Sequence, residues 1–356
     1  MEAHIVDFLF YQGKKVLVTG HTGFKGTWLC VLLHSLGAQV YGYALNPSTQ
    51  PNLFELSGIS NMIHSEIGDV RNFKHLYSFF QQVEPEIVIH MAAQPLVRES
   101  YKDPAGTYET NVMGTVNILE CVRQSTCTKS FLNITTDKVY QNNEWNWGYR
   151  EIDPLDGYDP YSNSKSCSEL VTHSYCKSFF GQREVSISTA RAGNVIGGGD
   201  FSADRIIPDC VRAVSSGKPI SVRNPHSIRP YQHVLDPLFA YLTIAQYQYR
   251  NKQYAGWYNV GPDEGDCVTT GTLVNLFCAS WGEGAKWINQ TEKNAPHEAS
   301  FLKLDCSRMK SMFAWKPRWR IDQAIDKTVE WSRTWLEHGD IMNTMKKQIC
   351  EFMEGR

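Results

Sequence analysis

Three glycines between a predicted strand and a predicted helix constrain the fold of this chain more than any other feature. The apolar run of residues 14–20 predicts a buried strand that runs into a turn, and residues 27–36 predict the helix that follows. Gly20, Gly23 and Gly26 lie between them, where they permit a tight turn and close approach of a pyrophosphate to the helix N-terminus. The pattern predicts an α/β fold with a Rossmann-type doubly wound parallel sheet. The candidate cofactor contacts in this loop are Gly20, His21, Thr22, Gly23, Phe24, Lys25 and Gly26.

Composition and charge exclude several classes of protein. The 356 residues carry a net charge of −2, with Lys and Arg scattered, so there is no basic field for nucleic acid. None of the ten cysteines lies in a C-x-x-C motif or at metal-ligand spacing from His, so we expect no metal site and a reducing cytoplasm. The N-terminus lacks the features of a signal peptide, and no apolar run approaches the roughly 20 residues that span a bilayer. We therefore expect no contact with a membrane.

The end of the second predicted strand bears on the choice of dinucleotide. After residues 39–43 the chain lacks both the acidic residue that usually binds the adenosine ribose and an Arg for a 2′-phosphate. We therefore expect NAD rather than NADP, with the ribose held by Asn46 and backbone groups. Asp69 and Val70 follow the third predicted strand, where they contact the adenine or, with equal weight for Asp69, form a plain loop. The remaining cofactor candidates are Ala92, Ala93, Gln94, Asn111 and Thr135.

Two groups of polar residues indicate chemistry on a sugar hydroxyl. Tyr161 and Lys165 lie four residues apart behind Pro160, so they share one face of a helix that this proline begins. An ammonium group beside a phenol favours the phenolate and lowers its pKa toward working pH, so the pair can take a hydroxyl proton while a nicotinamide takes the hydride. Asp137 and Lys138, next to Thr136, add an acid and a base that plain alcohol oxidation does not need. This acid and base suggest that a second chemical step follows the oxidation.

These motifs resemble the extended short-chain dehydrogenase/reductase superfamily over residues 12–330, and within it the sugar-nucleotide 4,6-dehydratases. Residues 191–200 and 229–234 add to the resemblance. The Asp-Lys pair is its narrowest mark, because dehydratases that act on dTDP-glucose or GDP-mannose carry Asp-Glu or Ser-Glu there. The resemblance implies NAD as cofactor and CDP-D-glucose as substrate. It implies oxidation at C4, elimination of water across C5 and C6, and return of the hydride to C6. The product would be CDP-4-dehydro-6-deoxy-D-glucose for deoxysugar and O-antigen synthesis.

The division of roles between Asp137 and Lys138 stays open at this stage. One assignment makes protonated Asp137 the acid at the C6 oxygen and neutral Lys138 the base at C5, and family analogy favours it. The other assignment exchanges these roles. Lys25 either neutralises the cofactor pyrophosphate or has a structural role, in which it points to solvent or pairs with a carboxylate. By resemblance, the substrate contacts are Gln94, Thr136, Asn194, Arg205, Arg229, Tyr231, His233, His297 and Glu298.

The resemblance also implies two domains and self-association. Residues 12–195 with about 228–258 would bind NAD, and residues 196–227 with about 259–340 would bind the nucleotide sugar. A homodimer or homotetramer would form through helices at about 104–124 and 160–180. The alternatives are another nucleotide-sugar 4,6-dehydratase, a 4-epimerase on the same fold, or a regulator that senses nucleotide sugars without catalysis. An epimerase has no use for the Asp-Lys pair, and a regulator has no use for Tyr161 and Lys165.

Overall fold

Alternating strands and helices build a seven-stranded parallel sheet in the computed structural model, which describes residues 7–291 and 301–355. The sheet order is β3-β2-β1-β4-β5-β6-β11, and every neighbouring pair is parallel. This order confirms the predicted doubly wound α/β fold. The strands are β1 (Lys15–Thr19), β2 (Gln39–Ala44), β3 (His64–Ile67), β4 (Ile87–His90), β5 (Ser130–Ile134), β6 (Ser186–Ala192), β7 (Val195–Ile196), β8 (Ile220–Val222), β9 (Ile228–Pro230), β10 (Gln232–His233), β11 (Trp257–Val260), β12 (Cys267–Thr269) and β13 (Trp287–Asn289).

Helices cover both faces of this sheet, which is why every residue of the central strands β4, β5 and β6 is buried. The helices α1, α9, α11 and α13 share a core with one face, while α3, α6 and α7 pack against the other. The helices are α1 (Phe24–Ser35), α2 (Leu53–Ser57), α3 (Phe73–Val83), α4 (Val97–Lys102), α5 (Pro104–Tyr108), α6 (Gly114–Gln124), α7 (Pro160–Phe179), α8 (Ile206–Ser215), α9 (Leu235–Arg250), α10 (Thr270–Trp281), α11 (Ser307–Phe313), α12 (Ile321–Leu336) and α13 (Ile341–Glu354).

Two local features of the helices matter for the site. Asp159 caps α7 by accepting a hydrogen bond from the Ser162 amide, and Pro160 occupies the first turn, so α7 begins where the sequence predicts. Between α5 and α6 the helix widens into a π-helical segment, Glu109–Met113. Such segments are rare and often occur at functional sites. No described helix is both long and apolar enough to cross a membrane.

A second, smaller core lies beyond β6. Apolar residues of α8, α10 and α12 pack together there with β8, and Ile207, Phe277 and Ile325 are among its buried members. Short strand pairs, β9 with β12, β7 with β10 and β8 with β13, connect this part of the chain. The cleft between the two cores opens at the carboxyl ends of β1, β4, β5 and β6, the edge where ligands bind in doubly wound sheets.

Candidate active site

The glycine loop brings three elements closer together than any side chain would allow. Gly20 has φ 77°, and a Cβ there would lie 2.8 Å from the Ala92 amide nitrogen after β4. A Cβ on Gly26 would lie 2.1 Å from the Gly20 carbonyl oxygen. Gly23 is the N-cap residue of α1 and has no side chain, so no capping side chain accepts hydrogen bonds from the first amides of the helix. The loop therefore fits the pyrophosphate of a dinucleotide, which binds such exposed amides.

Alanine substitutions in this loop should show that close backbone packing at Gly26 contributes to stability, whereas Gly23 has no such role. We expect Gly26→Ala to lower the free energy of unfolding by about 3 kcal/mol, because the added methyl group collides with backbone. Gly23→Ala is the matched control, since its Cβ would meet nothing closer than 3.5 Å and its φ is −77°. Denaturant unfolding without NAD measures both variants. Equal destabilisation would contradict the packing account of the loop.

The remaining loop side chains point in different directions. The His21 ring is enclosed against Gly42 and Phe54, with Nε2 2.6 Å from the Ser65 hydroxyl, and burial lowers its pKa to about 4. The His21 side chain therefore packs at the sheet edge and points away from the cleft, and a cofactor contact of His21 through its backbone stays a prediction. Lys25 lines the cleft, so it does not point to solvent. Burial and the Arg205 charge lower its pKa to about 8.

The residues predicted near the adenosine lie at the ends of β2 and β3. Asn46 is exposed just after β2, where Thr22 also donates a hydrogen bond to the Leu45 carbonyl. Asp69 forms a 2.6 Å ion pair with Arg71, which lowers the pKa of its carboxyl. Val70 is buried behind it. The Asp69 carboxylate is thus bound to Arg71, and the contacts of these residues with the adenosine stay a prediction.

Asn111, in the π-helical segment, connects the loop after β4 to α7. Its amide accepts from the Gln94 backbone nitrogen at 2.8 Å and donates to the Ser164 hydroxyl at 2.8 Å. The Gln94 side chain folds back onto Leu96 and Thr107, and it is absent from the cleft lining. Hydrogen bonds to its own loop and to α5 therefore occupy the side-chain amide, and the contacts of Gln94 with cofactor and substrate stay a prediction. Ala92 and Ala93 are half-buried beside Gly20.

Thr136, Asp137, Lys138 and Tyr161 line one cleft, with Thr135 before them and the buried Lys165 behind. Thr136 lies two residues after β5 and caps a short 3-10 turn, Asp137–Val139. Tyr161 is hydrogen-bonded to Thr136, and Lys165 Nζ donates to the Ile134 carbonyl at 2.8 Å. The folded chain therefore brings all five predicted catalytic residues together at the end of β5.

The predicted effect of Lys165 on Tyr161 is not what the structure shows. Burial raises the pKa of Tyr161 to about 12, although its hydrogen bond with Thr136 and the Arg205 charge oppose this. Burial and the neighbouring Lys25 charge lower the pKa of Lys165 to about 7. The expectation of a phenolate near working pH is wrong for the protein alone, since burial disfavours the charged form of both groups.

Asp137 is the most enclosed acid of the cleft. Burial raises its pKa, opposed by Lys138, by the Thr136 hydroxyl and by Arg229. Thr136 donates to its Oδ1 at 2.9 Å, while Oδ2 has no hydrogen-bond partner among the described residues. A Cβ on Gly193 would lie only 2.4 Å from that Oδ2, so this glycine makes room for the carboxyl. The environment favours a protonated Asp137.

Asp137→Asn should therefore stabilise the protein at neutral pH. Because the folded-state pKa is raised, the folded chain holds this proton more tightly than the unfolded chain. Its contribution to stability is full below the ordinary carboxyl value of about 3.9 and is lost as pH rises toward the raised value. Asn resembles the protonated acid at every pH, so we expect a gain of about 1 kcal/mol at pH 7 that vanishes near pH 3. Thermal unfolding at both pH values measures it, and a gain at both would contradict the argument.

The predicted substrate residues divide into three groups. Asn194, Arg205, Arg229 and Tyr231 line the cleft; Arg205 forms a 2.9 Å ion pair with Asp200. His233 is fully buried and packs its ring against Trp28 and Trp319, so the predicted substrate contact for it is wrong. His297 and Glu298 lie outside the described residues. Sequence reasoning missed further polar residues of the lining, which no motif marks: Asp204, Ser221, Arg223, Asn224, Ser227 and Thr270.

Comparison with known proteins identifies the family. The family model described as GDP-mannose 4,6 dehydratase matches residues 17–328. The chain belongs to the NAD-dependent epimerase/dehydratase family. It is 48% identical to the CDP-glucose 4,6-dehydratase of Salmonella typhimurium over 98% of this chain and 99% of that one. It is 28% identical to a probable dTDP-glucose 4,6-dehydratase of Sinorhizobium fredii over 91% of this chain and 93% of the relative.

Solved structures agree with the fold. A UDP-glucose 4-epimerase of Stenotrophomonas maltophila with bound NAD superimposes with a TM-score of 0.80 at 20% identity, covering 92% of this chain and all (100%) of that one. A dTDP-glucose 4,6-dehydratase of Bacillus anthracis in complex with NAD gives a TM-score of 0.76 at 22% identity, covering 93% and 100%. At these identities the likeness concerns the fold. The cofactor of the family is NAD, and the glycine loop of this chain fits it.

Proposed function

We propose that this chain dehydrates CDP-D-glucose to CDP-4-dehydro-6-deoxy-D-glucose with NAD. The observation that supports it most is the pairing of Asp137 and Lys138 with Tyr161 in one cleft. The 48% identical relative of Salmonella typhimurium, a CDP-glucose 4,6-dehydratase, supports the choice of nucleotide. A 4-epimerase needs an acid–base group only at C4. The presence of Asp137 and Lys138 in addition to Tyr161 therefore favours a reaction that includes elimination.

The first step belongs to Tyr161, Thr136 and Lys165. When bound, NAD supplies the hydride acceptor at C4 and the hydride donor at C6. Tyr161 takes the proton of the 4-hydroxyl group, and its hydrogen bond with Thr136 orients the phenol toward the cleft. Lys165, buried one turn further along α7, provides the nearby ammonium charge that favours a phenolate when it is protonated.

The elimination belongs to Asp137 and Lys138. Oxidation at C4 makes the C5 hydrogen acidic, and the Lys138 amine removes it as a proton. The C6–O bond breaks as protonated Asp137 gives its proton to the leaving oxygen, which departs as water. Burial of the Asp137 carboxyl supports this assignment, because it raises the pKa of this acid and so favours the protonated form that the step needs. The reverse assignment would need a buried carboxylate as the base.

Two arginines give the cleft a place for the diphosphate. Arg205 and Arg229 line it together with Asn194 and Tyr231, and a guanidinium matches phosphate oxygens in charge and geometry. The Tyr231 hydroxyl lies 2.9 Å from the Thr270 hydroxyl, which places α10 beside this part of the cleft. We propose that the two arginines bind the diphosphate and that the residues beyond them bind the cytosine.

A product assay with NAD tests the function. The enzyme is incubated separately with CDP-glucose, UDP-glucose, dTDP-glucose and GDP-mannose, and mass spectrometry measures the loss of one water. We expect water loss from CDP-glucose without net formation of reduced nicotinamide. An unchanged mass with altered configuration at C4 would instead indicate an epimerase. Absence of any turnover, with tight binding of the sugar nucleotide, would indicate a regulator.

The resemblance to the sugar-nucleotide 4,6-dehydratases also leads us to propose a location, a pathway, a domain division and an oligomeric state. We propose a cytoplasmic enzyme of deoxysugar and O-antigen synthesis with an NAD-binding domain of residues 12–195 and about 228–258. Residues 196–227 and about 259–340 would form the nucleotide-sugar domain. Residues 104–124 and 160–180 would join two copies. Exposed apolar side chains on both segments, Met113 and Leu170, support a homodimer, which could pair into a homotetramer.

A further inference from the structure

The short turn Asp137–Val139, which carries the proposed acid and base, is called the acid–base turn here. A buried ion pair lies beneath it and is not part of the reaction described so far. Glu169 is on α7, one turn after Lys165, and Arg191 is on β6. The side chains of both residues are 0% exposed, and they form two hydrogen bonds of 3.1 Å and 3.0 Å. Neither side chain lines the cleft. The pair therefore acts through other residues, if it acts on the reaction.

The ion pair contacts both ends of the segment that carries Asp137 and Lys138. At the start of this segment, the Thr135 hydroxyl donates a short hydrogen bond to Glu169 Oε1. At its end, Arg191 Nη1 donates to the Tyr140 hydroxyl at 2.8 Å. Only residues 136–139 lie between these two anchors. One pair of charges thus holds both flanks of the acid–base turn.

The remaining hydrogen bonds of the pair leave little freedom for movement. Glu169 also accepts from the Thr189 hydroxyl at 2.7 Å, and Arg191 also donates to the Glu151 carbonyl at 3.2 Å. Burial alone would raise the pKa of the Glu169 carboxyl, but Arg191 and the other donors hold it well below its usual range. Buried ion pairs contribute little net stability compared with apolar replacements. Their fixed geometry is the more specific property here.

The two halves of the active site depend on this pair to different extents. Tyr161 and Lys165 belong to the long helix α7, and the helix keeps them in place. Asp137 and Lys138 lie on a turn of three residues, which is too short to hold its own geometry as the helix does. The α7 helix holds the backbone of this region through Lys165 at Ile134 and through the Ser166 hydroxyl, which donates to the Val139 carbonyl at 2.7 Å. The ion pair adds two contacts to side chains, at Thr135 and Tyr140, which we call the anchors.

We propose that Glu169 and Arg191 are positioning residues that set Asp137 and Lys138 against the sugar, so that water elimination depends on them more than oxidation at C4 does. This inference rests on the proposed function. Without the anchors, the turn shifts relative to α7 while Tyr161 and Lys165 stay on their helix. A displacement of about 1 Å between reacting groups can cost roughly 100-fold in rate.

Two mild substitutions test the anchors without leaving a charge unpaired in the core. Thr135→Val removes the hydroxyl that Glu169 accepts from, and Tyr140→Phe removes the hydroxyl that Arg191 donates to. Gln248→Met is the matched control, because this buried amide bonds to Ser130 and Phe131 of β5 and to Ser188 of β6, at the amino ends of the two strands. All three changes remove buried hydrogen bonds that involve β5, β6 or the residues just after β5, so thermal unfolding should show losses of similar size.

Single-turnover experiments with NAD and CDP-glucose separate the two steps. Absorbance of reduced nicotinamide reports oxidation, and quenched samples analysed by mass spectrometry report water loss. In the Tyr140→Phe enzyme we expect water loss to slow by roughly 10- to 100-fold and oxidation by less than about threefold, with accumulation of reduced nicotinamide. Thr135 is also a candidate cofactor contact, so in the Thr135→Val enzyme both steps should slow, with water loss slowed more than oxidation. In the Gln248→Met enzyme the ratio of the two rates should equal that of the unaltered enzyme.

The outcomes distinguish the inference from the function on which it rests. Equal slowing of oxidation and water loss in the anchor variants, or a changed ratio in Gln248→Met as well, would overturn the positioning role and leave the proposed function intact. Absence of water loss from CDP-glucose in the unaltered enzyme would overturn both. A changed ratio that is confined to the anchor variants supports the inference.

Discussion

The Tyr161→Phe enzyme should lose both oxidation and dehydration, because it lacks the hydroxyl that we propose takes the 4-hydroxyl proton. Tyr161 lines the cleft and hydrogen-bonds to Thr136, whose own hydroxyl is held by Asp137 Oδ1. Loss of a general base costs about 10²- to 10⁴-fold in rate. We expect neither reduced nicotinamide nor dehydrated product on the timescale of wild-type turnover, while binding of CDP-glucose by calorimetry changes less than about threefold.

Tyr175→Phe is the control for this substitution. Tyr175 is on the same helix, and its hydroxyl donates to Glu120 at the opposite end of α7 from the cleft. Its variant should turn over like the unaltered enzyme. If Tyr161→Phe still formed reduced nicotinamide at the wild-type rate, another group would have to remove the proton, and the assignment of the first step would be wrong.

Local patterns predicted the framework and the central residues of the site. The spacing of Gly20, Gly23 and Gly26 depends only on the turn between one strand and one helix, and it placed the cofactor loop correctly in the fold. The four-residue spacing of Tyr161 and Lys165 needs only a helix that begins at Pro160, and the structure has one. Such features rest on neighbours in sequence, so one sequence suffices to predict them.

Contacts between distant segments account for the errors. His233 lies two residues after Tyr231, but Trp28 and Trp319 enclose it, and neither is near it in sequence. The His21 ring is enclosed in the same way by elements that follow much later than its own loop. No pattern within a single motif reports such burial. Contacts between distant segments also explain why Arg223 and Thr270 were missed, since the second core brings them into the cleft lining.

Burial also changed the expected electrostatics of the catalytic residues. A Tyr and a Lys on one helix face predict a lowered phenol pKa only if both remain solvated or paired. In the folded chain Lys25 adds a second positive charge near Lys165, and burial shifts both pKa values toward the neutral forms. A ligand with positive charge near Tyr161 would favour its phenolate again.

Replacement of Lys138 by Met should stop the reaction after its first step. Lys138 lines the cleft beside Asp137, while proton removal at C4 belongs to Tyr161. We therefore expect water loss to fall by about 10²- to 10⁴-fold, whereas oxidation continues and reduced nicotinamide accumulates to the level of enzyme sites. Lys177→Met, on an exposed position late in α7, is the control and should dehydrate normally.

Exchange of the C5 hydrogen in D2O then assigns the acid and the base. If Lys138 is the base, Lys138→Met loses deuterium incorporation at C5 of the oxidised sugar. Asp137→Asn keeps that incorporation but cannot protonate the leaving oxygen, so it too loses water slowly. The opposite result, with exchange lost in Asp137→Asn and retained in Lys138→Met, would make the carboxylate the base. Burial argues against that outcome, because a carboxylate with one oxygen unpartnered among the described residues would have to be charged in the resting enzyme.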